Sequence, residues 1–291
     1  MHAFVLVAHA TIAASPRLIE NGVTVFVSLL LFLALGAIAG VLAGLLGVGG
    51  GLVLVAALAW MLPGVGVPKE AAMHAALASS LASIVLTAAA SARAHHGRGS
   101  VLWPTVRWMI PGLLLGGWLG SGVAVRIDGD ALRWIVAGYC LIAAAQLTFG
   151  GTRAVAGGAE VAAPHGAPMT LAGVFIGAVS AVVGIGGGSM TVPLLVWRGV
   201  KPVRAVGTSS ACGVAIGLAS AVGYALHAPH GALPQYAVGY VYLPAAIGVA
   251  AASVLAAPYG MRLAHRLDGT SLKRVFAGFL IAVAMSLALA A

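Results

Sequence analysis

Residues 47–55 read GVGGGLVLV, and residues 184–195 read GIGGGSMTVPLL. Three adjacent glycines would face every side of a helix at once, so they do not describe a packing seam. Each disfavours a helix interior by about 1 kcal/mol relative to alanine, and each opens backbone conformations with positive φ. Both runs therefore predict an interruption in an otherwise helical segment. In the second, Pro193 follows Gly188 by five residues and lacks a backbone donor. The sequence predicts a short irregular turn there, with a new helix beginning near Gly188 or Ser189.

The surroundings of these runs are those of a membrane protein. Of the 291 residues 61% are hydrophobic and 7% charged, with a mean hydropathy of +1.07, whereas a soluble domain carries about 25% charged residues. No Lys, Arg, Asp or Glu occurs in 21–68, 71–92, 108–125, 134–152, 161–197, 205–261 or 275–291. A crossing helix needs roughly 20 apolar residues to span about 30 Å of hydrocarbon, and several windows are that long. The 41 glycines fit helices packed through small residues. Cys140 and Cys212 sit in apolar runs without metal-ligand spacing and read as packing residues. The net charge of +9 resides in short loops, as the positive-inside bias requires, so no nucleic-acid partner is expected. Residues 1–22 read as a short N-terminal tail rather than a cleaved signal.

The chain is one unit written twice. At an offset of 137, Gly36, Gly40, Gly47 and Gly49–Gly51 fall on Gly173, Gly177, Gly184 and Gly186–Gly188. At 130, Ser79 and Ser80 fall on Ser209 and Ser210, and at 140 RIDGDALRWIVAGY (126–139) matches RLDGTSLKRVFAGF (266–279). The reading is an all-α polytopic membrane protein of two homologous repeats, 23–149 and 169–291, joined by a linker at 150–168. Each repeat holds one glycine-broken segment (23–62, 169–197) followed by three uninterrupted ones (70–93, 103–126, 131–149; 203–227, 236–262, 271–290). If the broken segment dips in and returns, the second repeat is inverted, and 11 of the 15 Lys and Arg lie on one side. If it crosses, the repeats are parallel and the split is ten to five. The count favours inversion slightly, as does the frequency of inverted repeats among secondary transporters.

Non-helical backbone survives at membrane depth only inside protein or along a wet cavity. A helix that restarts there presents free N–H groups and the positive end of its dipole, which suit an anion. The candidate contacts are Gly49, Gly50 and Gly51 in the first break and Gly186, Gly187, Gly188 and Ser189 in the second. Thr208, Ser209 and Ser210, with their counterparts Ser79 and Ser80, supply hydroxyl donors. His74 and Arg204 occupy equivalent positions; either attracts an anion at a membrane boundary, and Arg204 reads alternatively as a cytoplasmic anchor. Gln146, Tyr139 and Tyr224 are further candidates for lining a path. Gly36-x-x-x-Gly40 and Gly173-x-x-x-Gly177 read as packing sites. Asp128 and Asp268 read as N-caps, and no carboxylate falls within a predicted crossing. His95, His96, His227 and His230 read as loop residues without a further ligand at metal spacing, so neither metal nor cofactor is expected.

Gly184-Ile185-Gly186-Gly187-Gly188 with Val192-Pro193, followed by Gly207-Thr208-Ser209, resembles the signature of the sulfite exporter TauE/SafE family. The first repeat departs from it: Ala56 stands where the family proline is expected, and Leu77-Ala78-Ser79 replaces Gly-Thr-Ser. The resemblance implies a multi-pass inner-membrane transporter of small sulfur-containing anions such as sulfite or organosulfonates. A channel or passive pore of the same architecture is the alternative. An enzyme is disfavoured, since no nucleophile–base pairing and no G-x-x-x-x-G-K-[ST] motif occurs. Oligomeric state and direction of transport are left open.

Overall fold

The computed structural model describes residues 23–46, 50–149, 162–229, 231–233, 236–264 and 269–289. The tail 1–22, most of the linker, and the candidate residues Gly49, His230 and Asp268 lie outside them. The described chain runs α1 (Val23–Leu46), α2 (Gly51–Met61) with a 3-10 turn at Leu62–Val65, α3 (Lys69–Gly97), α4 (Trp103–Ala124) and α5 (Gly129–Phe149). It continues as α6 (Ala167–Val183), α7 (Gly188–Trp197), α8 (Pro202–His227), a hairpin of β1 (Ala237–Val238) and β2 (Val241–Tyr242), α9 (Leu243–Ala264) and α10 (Gly269–Leu289).

Both expected interruptions fall between separate helices. α6 ends on Gly184 at φ 78°, and α7 is preceded by Gly187 at φ 72°, backbone that glycine adopts without a steric penalty. At 11 and 10 residues, α2 and α7 reach only about half of the hydrocarbon thickness. One expected segment differs at its start: 236–242 is the antiparallel hairpin, not helix. Gly239 turns it at φ 57° and lies so close to the Ala225 backbone that a Cβ would collide.

Helix directions follow from which residues meet. Gly36 abuts Val249 and Gly40 abuts Ser253, so α1 and α9 run the same way. Gly112, Gly116 and Gly120 abut Thr170, Val174 and Ala178, so α4 and α6 also run together. Gly217, Gly213 and Gly207 meet Leu81, Ala88 and His95 in turn, so α3 and α8 run in opposite senses. Both glycine seams bring backbone onto backbone. Gly173 and Gly177 press on the α4 backbone at Met109 and Leu113, and Ser253 Oγ donates to Gly36 O at 2.7 Å. These are the small-residue packing sites expected at 36/40 and 173/177, and each joins a helix of one half to a helix of the other.

The outer faces are apolar: Leu115 and Trp118 of α4, Ile142 of α5, Phe175 of α6 and Leu255 of α9 are all exposed. Such a surface suits lipid rather than water. Among the described helices, α3 and α8 are each long and apolar enough to cross a membrane unaided. They form the centre, where Leu77, Leu81 and Ile84 meet Ile216 and Tyr224.

The seams make a testable distinction between glycines. Gly116→Leu has no room against Val174 and is expected to lower the thermal unfolding midpoint sharply or prevent folding, overpacking being worth about 1–3 kcal/mol or more. At Gly138 a Cβ meets nothing within 4 Å, and Gly138→Ala is expected to leave the midpoint unchanged or raise it. Thermal unfolding in detergent checks both.

Candidate anion site

The two breaks come together at one cavity of about 240 Å³. Gly50 and Gly51 line it from the first break, and Gly186 and Gly188 from the second. Neither α2 nor α7 has a side-chain cap. The first N–H groups of any helix lack an intrahelical acceptor; here Met190 and Thr191 donate back to Gly187 O at 3.1 and 2.8 Å, and Leu54 to Gly50 O at 3.0 Å. Of the helix starts, Gly51 and Gly188 line the cavity, where the two helix dipoles present positive ends.

One side of the cavity is a face of α3, Ile84, Thr87, Ser91, Ala94 and His95, with Arg98 just past the end of the helix. Their spacing of three and four is that of a single helix face. Opposite stand Val206, Ser209, Ser210 and Gly213 of α8, with Ser253 and Pro258 of α9 closing a third side. Among the described residues the lining holds hydroxyls, one guanidinium and one imidazole, and no carboxylate. At 240 Å³ it is smaller than the roughly 300–1,000 Å³ pockets that take drug-sized ligands, a size for a small polar solute. Serine and threonine hydroxyls donate to anionic oxygens, and the guanidinium adds a charge-assisted donor.

Of the residues singled out from the sequence, Gly50, Gly51, Gly186, Gly188, Ser209 and Ser210 meet here. The others have different places. A Cβ on Gly187 would run into Ile216, away from the cavity. Ser189 pairs with Tyr139 OH at 2.6 Å, and Tyr224 OH donates to Ala181 O at 3.1 Å in full burial. Thr208 Oγ1 accepts from Leu102 N–H, and Ser79 Oγ from Tyr242 N–H, each at 3.0 Å; both pin the start of a neighbouring segment. Ser80 Oγ donates across both breaks, to Gly184 O at 3.1 Å and Gly51 O at 3.3 Å. His74 is 5% exposed, 3.0 Å from Ile127 O through Nε2 and stacked on Tyr240 at 4.9 Å. Arg204, half-buried in the first turn of α8, lies outside the lining, and Gln146 is exposed on α5.

The sequence reading missed Thr87, Ser91, His95, Arg98 and Ser253. It ended the segment at 93 and placed His95 and His96 in a loop, whereas α3 continues to Gly97 and carries both in its last turn. His227 likewise ends α8 instead of lying in a loop. A signal was present: Ala94 supports the helix beyond Arg93, no glycine or proline follows until Gly97, and 84, 87, 91 and 95 fall on one face.

Against known proteins, the family model described as "Sulfite exporter TauE/SafE" matches residues 32–287. A "Probable membrane transporter protein" of Haemophilus influenzae is 35% identical over 265 residues, covering 90% of this chain and 98% of the relative. Two proteins of the same description from Xylella fastidiosa are similar as well. The one from strain Temecula1 is 30% identical over 89% of this chain and 94% of its own length. The one from strain 9a5c is 32% identical over 69% and 75%. No solved structure matches. With a family match across nearly all of its length and relatives that align almost end to end, the chain belongs to the sulfite exporter TauE/SafE family of membrane transporters.

Proposed function

We propose that the chain is a secondary transporter of small sulfur-containing anions, sulfite or an organosulfonate, which it carries by alternating access across the plasma membrane. The observation that carries the reading is the cavity: two uncapped helix starts, several hydroxyls and Arg98, with no carboxylate lining it among the described residues. An oxyanion is the solute that such a set of donors favours.

The repeats 23–149 and 169–291 are read as inverted. In support, α3 and α8 hold equivalent places in the two halves and run in opposite senses. Each broken segment also packs on the other half's α4-type helix, α1 on α9 and α6 on α4. The cavity is one-sided. It follows α3 only from Ile84 onward and α8 only up to Gly213, while Ala72–Leu81 of α3 are buried. Arg98 lines that end, and Leu102 packs there with Leu195, Val200 and Ala205, which brings the turns that carry Arg198, Lys201 and Arg204 to the same end. By the positive-inside bias that end is cytoplasmic, and a solute collected there is positioned for export.

Two measurements test the proposal. Arg98 is exposed, so Arg98→Gln is expected to fold normally yet weaken sulfite or sulfonate binding about tenfold, within the range of a charge-assisted hydrogen bond. Calorimetric titration of both proteins checks it, and equal affinities would oppose the site. In proteoliposomes preloaded with unlabelled anion, labelled anion is expected to accumulate transiently above its external level. Simple equilibration would instead support a passive pore, and no flux of any sulfur oxyanion would oppose the substrate class.

A further inference from the structure

We infer that Ser80 and Ser210 are reciprocal latches, each holding shut one face of the paired breaks while the other is open; the inference rests on the alternating-access reading above. On the side away from the cavity, the breaks lie backbone on backbone. A Cβ on Gly51 would come within 2.8 Å of Gly184 O. The fully buried Ser80 donates its one hydroxyl hydrogen to both Gly184 O and Gly51 O, at 3.1 and 3.3 Å. Val55 and Leu77, also fully buried, fill the space at Gly184. One hydroxyl and two apolar side chains thus close that face.

In the repeat register, Ser80 corresponds to Ser210 and Gly51 to Gly188. Ser210 and Gly188 both line the open cavity. The Ser210 hydroxyl donates instead to Val206 O, four residues back on its own helix, at 3.0 Å, and stands 2.9 Å from Ser91 Oγ. One member of an equivalent pair is therefore engaged across the breaks, and the other is parked on its own helix. The transport cycle exchanges these conditions. Ser80 releases Gly51 and Gly184 and returns to the carbonyl of Ala76, four residues back. Ser210 leaves Val206 and engages Gly188. Neither hydroxyl is stranded without a partner in either state, because a helical serine always has the carbonyl four residues back within reach. An unpaired buried hydroxyl is the penalty this arrangement avoids.

The test reads accessibility and needs no substrate. Leu77→Cys reports on the closed face and Ala90→Cys on the cavity, with a membrane-impermeant maleimide applied to protein in nanodiscs, where both faces meet the reagent. Native Cys140 and Cys212 are buried, and the unsubstituted protein supplies the baseline. Ser80→Ala is expected to raise the labelling rate of Leu77→Cys about three- to tenfold and lower that of Ala90→Cys, the ratio that one or two net hydrogen bonds are worth. Ser210→Ala is expected to do the reverse at both reporters. Ser83→Ala is the control: Ser83 Oγ donates to Ser80 O at 2.7 Å and bridges no break, so both rates should hold. Unchanged rates in Ser80→Ala, both reporters rising together, or an equal effect from Ser83→Ala would each overturn the latch. If Ser80→Ala does not purify as a monodisperse protein, the Ser210→Ala arm decides, and an unslowed Leu77→Cys overturns it. Reciprocal labelling without sulfur-anion flux would keep the latch and reject the substrate class; flux without reciprocal labelling would do the opposite.

Discussion

Backbone that leaves the helix inside an apolar protein has to find partners for its N–H and C=O groups, and everything around the two breaks follows from that demand. The carbonyl of Ser180 accepts from Gly184 N–H and Ile185 N–H at 2.9 and 3.0 Å, which closes the end of α6. Gly187 O takes two amides of α7, and Ser80 takes the carbonyls of Gly184 and Gly51. The carbonyls of Gly184, Gly187 and Gly51 are thus engaged within the protein, which leaves the helix starts at Gly51 and Gly188 facing the cavity.

Small side chains give that cavity its room. Alanines at 39, 43, 88, 90, 94 and 257 line it beside the glycines. The same residue types let α4 and α6, or α1 and α9, touch through their backbones. Where two helices converge, small residues give close packing; where a third element holds them apart, the same residues concede volume. Thr87, Ser91, Ser209, Ser210 and Ser253 add hydroxyls, His95 a ring and Arg98 a charge, to walls otherwise built of small and apolar residues.

The breaks, the helical architecture and the packing role of Gly36, Gly40, Gly173 and Gly177 could be read from composition and spacing, because each depends on local backbone properties. The grouping of side chains could not. Ser79 and Ser80 are adjacent, yet one accepts from the hairpin and the other spans both breaks. Thr208, beside two cavity residues, is committed to Leu102. Adjacent positions on a helix point about 100° apart, so neighbours in sequence serve different surfaces, and which surface faces what is settled by elements far along the chain. His74 shows the same lesson. Its place in a repeat motif suggests an anion-attracting group at a membrane boundary, and the structure buries it between Tyr240 and the Ile127 carbonyl. His95 and Arg98 were obscured by a boundary error of one helical turn, the least secure part of any reading from periodicity.

The exchange of helices between halves has a consequence for biosynthesis. The glycine face of α1 has no mate until α9 has left the ribosome, and α6 settles only because α4 is already in place. The first half is therefore made before the partner of its Gly36–Gly40 face exists. Assembly finishes when the last third of the polypeptide reaches back to the first. A truncated product without α9 would leave Gly36 and Gly40 without the backbone on which they close.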